Sequence, residues 1–252
     1  MSTFNTMLKK ETMEVVRSYK LLIGLAVFAF FGILSPVTAK YLPQILGSFE
    51  EIKQMNIQLP EPSYRDAFGQ YIQNISQIGT FALIFLAMGA VAKEKDQGTG
   101  AFLMVKPVRR SVFIGAKVIS LVGLVIVSLL SAAVLCGIYT VIFFENMPAV
   151  LFIKINLLLL LNIVTIMTVT VLASTFFTSQ AAAGIVSIII WMVLSGITEI
   201  KTIGVYSPGK LIGTANGLIG GVETAWQPFF GSAILIAVCI AASIAVFRKW
   251  EP

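Results

Sequence analysis

Six long apolar runs alternate with short polar segments: Leu21 to Ala39, Ser76 to Ala92, Val118 to Phe144, Ala149 to Phe177, Ala181 to Ile197 and Phe229 to Phe247. A bilayer hydrocarbon core about 30 Å thick takes ~20 apolar residues in helical form, about 17 at the least, so each run is a predicted transmembrane helix. The second and fifth runs are at the short end. The third and fourth are long enough to tilt or project. Ahead of the first run, Phe4, Leu8, Thr12, Val15, Val16 and Tyr19 fall along one side of a predicted helix, with Lys9, Lys10, Glu14 and Arg17 elsewhere. That pattern predicts an amphipathic interfacial helix over residues 1–20 that feeds the first span.

Two connecting segments are too long for simple turns. Lys40 to Ile75 has a turn-rich centre at Leu59-Pro60-Glu61-Pro62-Ser63, and its flanks suit either short surface helices or longer projections of the first two spans. Thr198 to Pro228 carries Ser207-Pro208-Gly209, then apolar residues interrupted by glycine, then Trp226-Gln227-Pro228. Such a pattern predicts outer half-helices that dip back toward the membrane, tolerated only when buried in protein or lining water.

Composition turns this pattern into a fold class. Of 252 residues, 57% are hydrophobic and 12% charged, where soluble domains carry roughly 25% charged residues. The expected fold is therefore all-α integral membrane, one transmembrane domain over residues 1–252. The net charge of +6 is dispersed in short segments beside the apolar runs, which suits a membrane surface and not nucleic acid. The chain has no His, hence neither the commonest general base nor the commonest metal ligand. Cys136 and Cys239 lie inside apolar runs and read as small buried hydrophobes.

The distribution of basic residues predicts orientation. Twelve of the eighteen Lys and Arg residues precede the first span, lie between the second and third, or follow the sixth. The positive-inside rule then places both termini and the Lys93 to Lys117 segment in the cytoplasm of a multi-pass protein of the inner or plasma membrane. Val37-Thr38-Ala39 has the small residues of a signal-peptidase site, but the preceding segment is long, contains Glu11 and Glu14, and reads as a helix.

The segment from Glu94 to Lys117 is the most informative. Thr99 can cap a short helix, Phe102, Leu103 and Val105 give that helix an apolar side, and Pro107 stops it. Composition alone leaves two readings open: a rigid lever between two spans, or a solvated connector that is basic only because it is cytoplasmic. Within the spans, Lys154 is close enough to a membrane boundary to snorkel or to meet Glu145. Asn162, Thr165 and Thr168 form a polar stripe, a weak candidate for a substrate path, since such groups more often join helices. Ala181 to Gly184 and Ser187 allow close approach of another backbone, in a packed or dimeric interface.

The stretch Glu94, Gly98-Thr99, Pro107-Val108, Arg110 and Lys117 resembles the cytoplasmic coupling segment of type-2 ATP-binding-cassette (ABC) exporter permeases. Lys9-Lys10-Glu11 with Arg17-Ser18-Tyr19-Lys20 is similar to that family's interfacial helix, and Ser207-Pro208 and Phe247-Arg248-Lys249 add to the likeness. The resemblance implies a permease subunit, expected to dimerise with a second, identical copy. Two soluble ABC ATPase subunits would power it, with ATP and magnesium bound there and no cofactor, metal or catalytic residue here. It implies that Glu94, Gly98, Thr99, Phe102, Leu103, Pro107 and Arg110 couple to the ATPase, and that Lys10, Glu11 and Arg17 belong to the interfacial helix. The chain has no Gly-x-x-x-x-Gly-Lys-Ser/Thr phosphate cradle. The implied cargo is an amphipathic or hydrophobic peptide, lipid or drug, moved outward. The rival readings are an ion-coupled secondary transporter, which usually needs acids or His near the midplane, and a non-transporting transmitter or scaffold on the same fold.

Overall fold

The computed structural model describes residues 3–48, 61–98, 109–144, 147–200, 202–222 and 224–249. Among them the chain is helical, with no strand, and six helical stretches are long and apolar enough to cross a membrane. Helix α1 (Thr3–Arg17) leads into α2 (Lys20–Ser48). The second span combines α3 (Tyr64–Asn74), a π-helical turn at Ile75–Gly79, α4 (Thr80–Ala87) and, after a break, α5 (Ala92–Asp96). Then follow α6 (Arg110–Phe143), α7 (Ala149–Phe176), α8 (Gln180–Gly196), a short α9 (Lys210–Ile219) and α10 (Gln227–Lys249).

Helix α7 is the central post, packed by α3, α4, α6, α8, α9 and α10. Its sequence suits that position, because buried residues surround it, from Phe152, Ile155 and Leu159 to the threonines of its second half. Those threonines need no partner helix: Thr165 and Thr170 donate to the carbonyls of Leu161 and Ile166 on their own helix. Helices α2 and α6 pack through small residues. A Cβ added at Gly32 would lie 2.7 Å from the Ala132 carbonyl oxygen, and one at Gly24 would lie 2.7 Å from Ser128 Oγ. In a membrane such small surfaces provide association through van der Waals contact, since lipid offers no hydrophobic drive.

Several boundaries differ from those read in the sequence. The first two spans project well beyond the apolar runs, α2 to Ser48 and the second span from Tyr64, the second of the two alternatives for Lys40 to Ile75. At the start of α3, the Ser63 backbone N–H and hydroxyl both donate to Asp66, at 2.8 and 2.9 Å. Aromatic contacts then hold the projection: Phe68 stacks on Phe152, and the Tyr71 hydroxyl donates to Asn156 at 2.7 Å. The third span starts at Arg110, eight residues before Val118, so Lys117 belongs to the helix.

Among the described residues of the 198–228 segment, 3-10 turns at Ile197–Glu199 and Gly204–Tyr206 precede the one α-helix, α9. Helix α9 buries Leu211 and Ala215 against α7. The buried Asn162 side chain donates to the Pro208 carbonyl at 2.9 Å and pins the approach to this helix. Helix α1 is also rotated from its expected face. Met7, Glu11 and Val15 are its buried residues, one per turn, whereas Val16 and Tyr19 are exposed. A glutamate takes the middle of the buried stripe because two lysines meet it there.

Candidate functional site

At the basic end of the bundle, α1, α5 and the foot of α6 converge on four charges. Lys10 donates to Glu11 Oε1 at 2.9 Å and to Glu94 Oε1 at 2.8 Å. Lys117 donates to Glu11 Oε2 at 3.0 Å and lies 3.0 Å from the same Glu94 oxygen. Lysine and glutamate thus alternate around a closed ring drawn from three parts of the chain. The ring is buried on one side, with Lys117 and Glu11 side chains 2% and 5% exposed, and opens to water at Lys10, 40% exposed. Glu14 extends it, 3.8 Å from Lys10 and 3.9 Å from Lys20.

Local sequence sets each member in place. Glu11 points inward because it shares the i, i+4 register of Met7 and Val15. Glu94 arrives through a helix break at Met88 to Val91. There the Ser174 hydroxyl of α7 accepts the backbone N–H groups of Val91 and Ala92, both at 2.9 Å, and so restarts the chain as α5. On that short helix Lys95 donates to the Thr175 carbonyl, which ties its other side to α7. Lys117 lies one turn above Phe113, its ammonium 4.9 Å from the ring centroid. Phe113 in turn stacks on Phe247 with ring centroids 4.8 Å apart, and Arg110 donates to the carbonyls of Phe247 and Arg248. The end of α10 is therefore fastened to the same block.

Burial would pull the Lys10 ammonium down, yet hydrogen bonds and attraction from Glu94 and Glu11 outweigh it and raise its pKa above the ordinary lysine value. The Glu11, Glu14 and Glu94 carboxylates come within 4.8 Å of one another, close enough for a metal ion. The ammonium groups of Lys10 and Lys117 already take those oxygens at hydrogen-bond distance, and Lys20 balances Glu14. The arrangement is a neutral clamp more than a cation site: it holds three helices in register.

The residues singled out in the sequence separate into groups. Lys10, Glu11 and Glu94 meet in the ring. Gly98 follows α5 with φ of 66°, a left-handed conformation that favours glycine. Thr99, Phe102, Leu103 and Pro107 lie outside the described residues, whereas Arg110 binds the end of α10. Arg17 is exposed at the end of α1. Asn162, Thr165 and Thr168 are buried inside the bundle, engaged with Pro208, Leu161 and the Thr165 carbonyl. Lys154 is exposed on α7. Lys117, Glu14, Lys20 and Ser174 were not singled out as site residues. Lys117 had a readable signal, a lone charge in an otherwise apolar stretch, but starting the third span at Val118 left it in the loop.

Six membrane-crossing helices, an amphipathic first helix clamped to the end of the second span, and a pinned short helix at the opposite end define a multi-pass membrane domain of the permease type. Residues 6–251 match the family model described as ABC-2 family transporter protein, and the chain belongs to that family, the membrane components of ABC transporters. It is also similar to an uncharacterized transmembrane protein, YxlG, of Bacillus subtilis (strain 168), with 26% identity over 255 residues that cover 100% of this chain and 97% of that protein. Members of this family are transport subunits and not themselves catalytic.

Proposed function

We propose that this chain is the membrane half of an ATP-driven exporter whose two ATPase subunits are separate proteins, and that the ion ring transmits their motion into the spans. The observation that carries this reading is the closed ring Lys10–Glu11–Lys117–Glu94. It fastens the stem of the 99–108 segment to α1 and α6, so a push on that segment reaches both helices as one body and is not lost in a loose loop. In this reading the basic end faces the cytoplasm, the 99–108 segment seats on the ATPase through Phe102 and Leu103, and ATP and magnesium bind only the partner. Two copies of the chain form the path, and an amphipathic peptide, lipid or drug moves outward. The acids of the ring are matched by lysines at one end of the bundle, which does not suit ion coupling at the midplane.

The test is assembly. The tagged chain, purified from its native membrane, should bring down a soluble ATPase carrying a phosphate-binding loop, and the complex should hydrolyse ATP while the chain alone does not. Phe102→Asp and Leu103→Asp should each abolish co-purification, because a charge placed in an apolar contact stays unpaired. Substitutions at Lys53 and Gln58 should leave it unchanged. Normal assembly and hydrolysis with both Asp variants would overturn the coupling assignment, and hydrolysis by the chain alone would overturn the permease reading.

A further inference from the structure

One face of the second span does not suit lipid. Along α3, the π-turn and α4, the exposed residues include Arg65 and, eight residues on, Gln73, Gln77, Phe81 and Phe85 at successive four-residue steps. The upper part of this stripe is polar. It borders a cleft of about 550 Å³ between α3 and α9, lined also by Asp66 and Asn216. The lower part is aromatic, where Phe81 and Phe85 meet edge to face at 4.9 Å and remain 40% and 48% exposed.

Depth makes the glutamines informative. Tyr71 is bonded to Asn156, and Val91 and Ala92 to Ser174, so residues 71–91 run beside the part of α7 between Asn156 and Ser174. Those eighteen residues of α7 span roughly 27 Å, nearly the whole hydrocarbon thickness of about 30 Å. Gln77 lies well inside that interval and Gln73 near its outer end. Neither side chain has a hydrogen-bond partner among the described residues, whereas the neighbouring Asn74 donates to Ser35 and Gln70 accepts from Thr38. An amide facing acyl chains would forgo every hydrogen bond, a costly arrangement. The π-turn at Ile75–Gly79, which contains Gln77, also adds an extra residue to this helix, a feature frequent at functional sites.

We propose that this face is a hydrated binding wall for an amphipathic ligand with an uncharged hydrogen-bonding head, which Gln73, Gln77 and Asn216 hold while its apolar part lies on Phe81 and Phe85. The inference rests on the permease reading and gives its path a location and a chemistry. Primary amides each donate and accept, so they match peptide amides or sugar hydroxyls without selecting charge.

The test uses the full chain in intact cells and then in phosphatidylcholine nanodiscs. Single cysteines at Gln73, Gln77 and Asn216 are treated with a charged methanethiosulfonate reagent; the unmodified chain, with Cys136 and Cys239 buried, sets the background. Because only the thiolate reacts, and it requires water, labelling at Gln73→Cys and Gln77→Cys should be roughly tenfold or more faster than at Ile189→Cys on the exposed apolar face of α8. Two probes then compete with labelling at Asn216→Cys: a blocked Leu/Gln octapeptide and decyl maltoside below its micelle concentration. Slowing by either supports the site and tells whether amides or hydroxyls are read. Gln77→Leu, or Gln73→Leu should the first variant fold poorly, should remove the protection. No labelling at Gln77→Cys, protection by neither probe, equal protection by decane, or protection that survives both Leu variants would each overturn the proposal. No ATPase is needed, so such a failure beside intact ATPase association sinks this site alone and leaves the permease reading standing.

Discussion

The Lys117 ammonium and the Glu11 carboxylate, 106 residues apart in the chain, meet at 3.0 Å with 2% and 5% of their side chains exposed. Removing one member of a buried pair leaves the other charged and desolvated, at a cost of about 3–5 kcal/mol. Lys117→Met should therefore lower stability by that order in a detergent melt. Its companion Glu11→Gln/Lys117→Met should lose much less than the sum of the single changes. Additive losses would show that the two residues do not act as a pair.

The same ring sets a pH expectation. Because the folded pKa of Lys10 is raised, its contribution is fully present below its unfolded value of about 10.4 and is lost only as pH rises through the higher folded value. Melting measured between pH 7 and 9 should show no loss attributable to Lys10. A drop in that window that disappears in Lys10→Met would contradict the geometry.

Close approach of α2 and α6 gives a second contrast in stability. Gly32→Ala pushes a methyl against the Ala132 backbone, and overpacking of this kind costs typically 1–3 kcal/mol, here about that much. Gly123→Ala has no atom within 4 Å of the new Cβ and should be neutral or slightly stabilising, since alanine is the better helix former. Equal effects at both positions would refute the packing of these spans.

Asn162 should control the far end of the bundle. Asn162→Leu removes the side-chain donor to the Pro208 carbonyl, which keeps only its backbone bond from Leu211, a loss of about 0.5–1.5 kcal/mol, the net worth of one hydrogen bond. The expected readout is faster hydrogen exchange confined to residues 198–219, with the ring residues unaffected. Unchanged exchange there would mean that α9 is held by other contacts.

Orientation is tested separately. Membrane-impermeant thiol reagents should label cysteines placed at Gln58 or Glu223 in intact cells, and not one at Gln97, because basic residues concentrate on the side that holds Gln97. Reversed labelling would invert the proposed direction of transport.

Much of this was legible in the sequence because membrane spans follow from composition over about 20 residues, a local property. The six spans and the amphipathic first helix are of that kind. Glu94 and Lys10 were legible as charges in the right segments, but their pairing was not. Nothing local says that a helix break at Met88 to Val91, capped by Ser174, aims Glu94 toward α1. The rotation of α1 was hidden for a related reason: periodicity assigns a glutamate to the wet face unless a partner is known. The length of the second span was also hidden, because its first turns are rich in polar residues and an apolar count starts only at Ser76.

The sequence by itself therefore determined the solvent this protein lives in, the number of times it crosses it and the uneven placement of its basic residues, since each depends on residue type along a continuous stretch. Only the tertiary structure decided which charges neutralise one another, that α9 is tied to Asn162, and that Gln73 and Gln77 stay exposed on the second span. Those are relations between segments distant in the chain, and hydrogen bonds and ion pairs at about 3 Å are made or lost by the packing of whole helices.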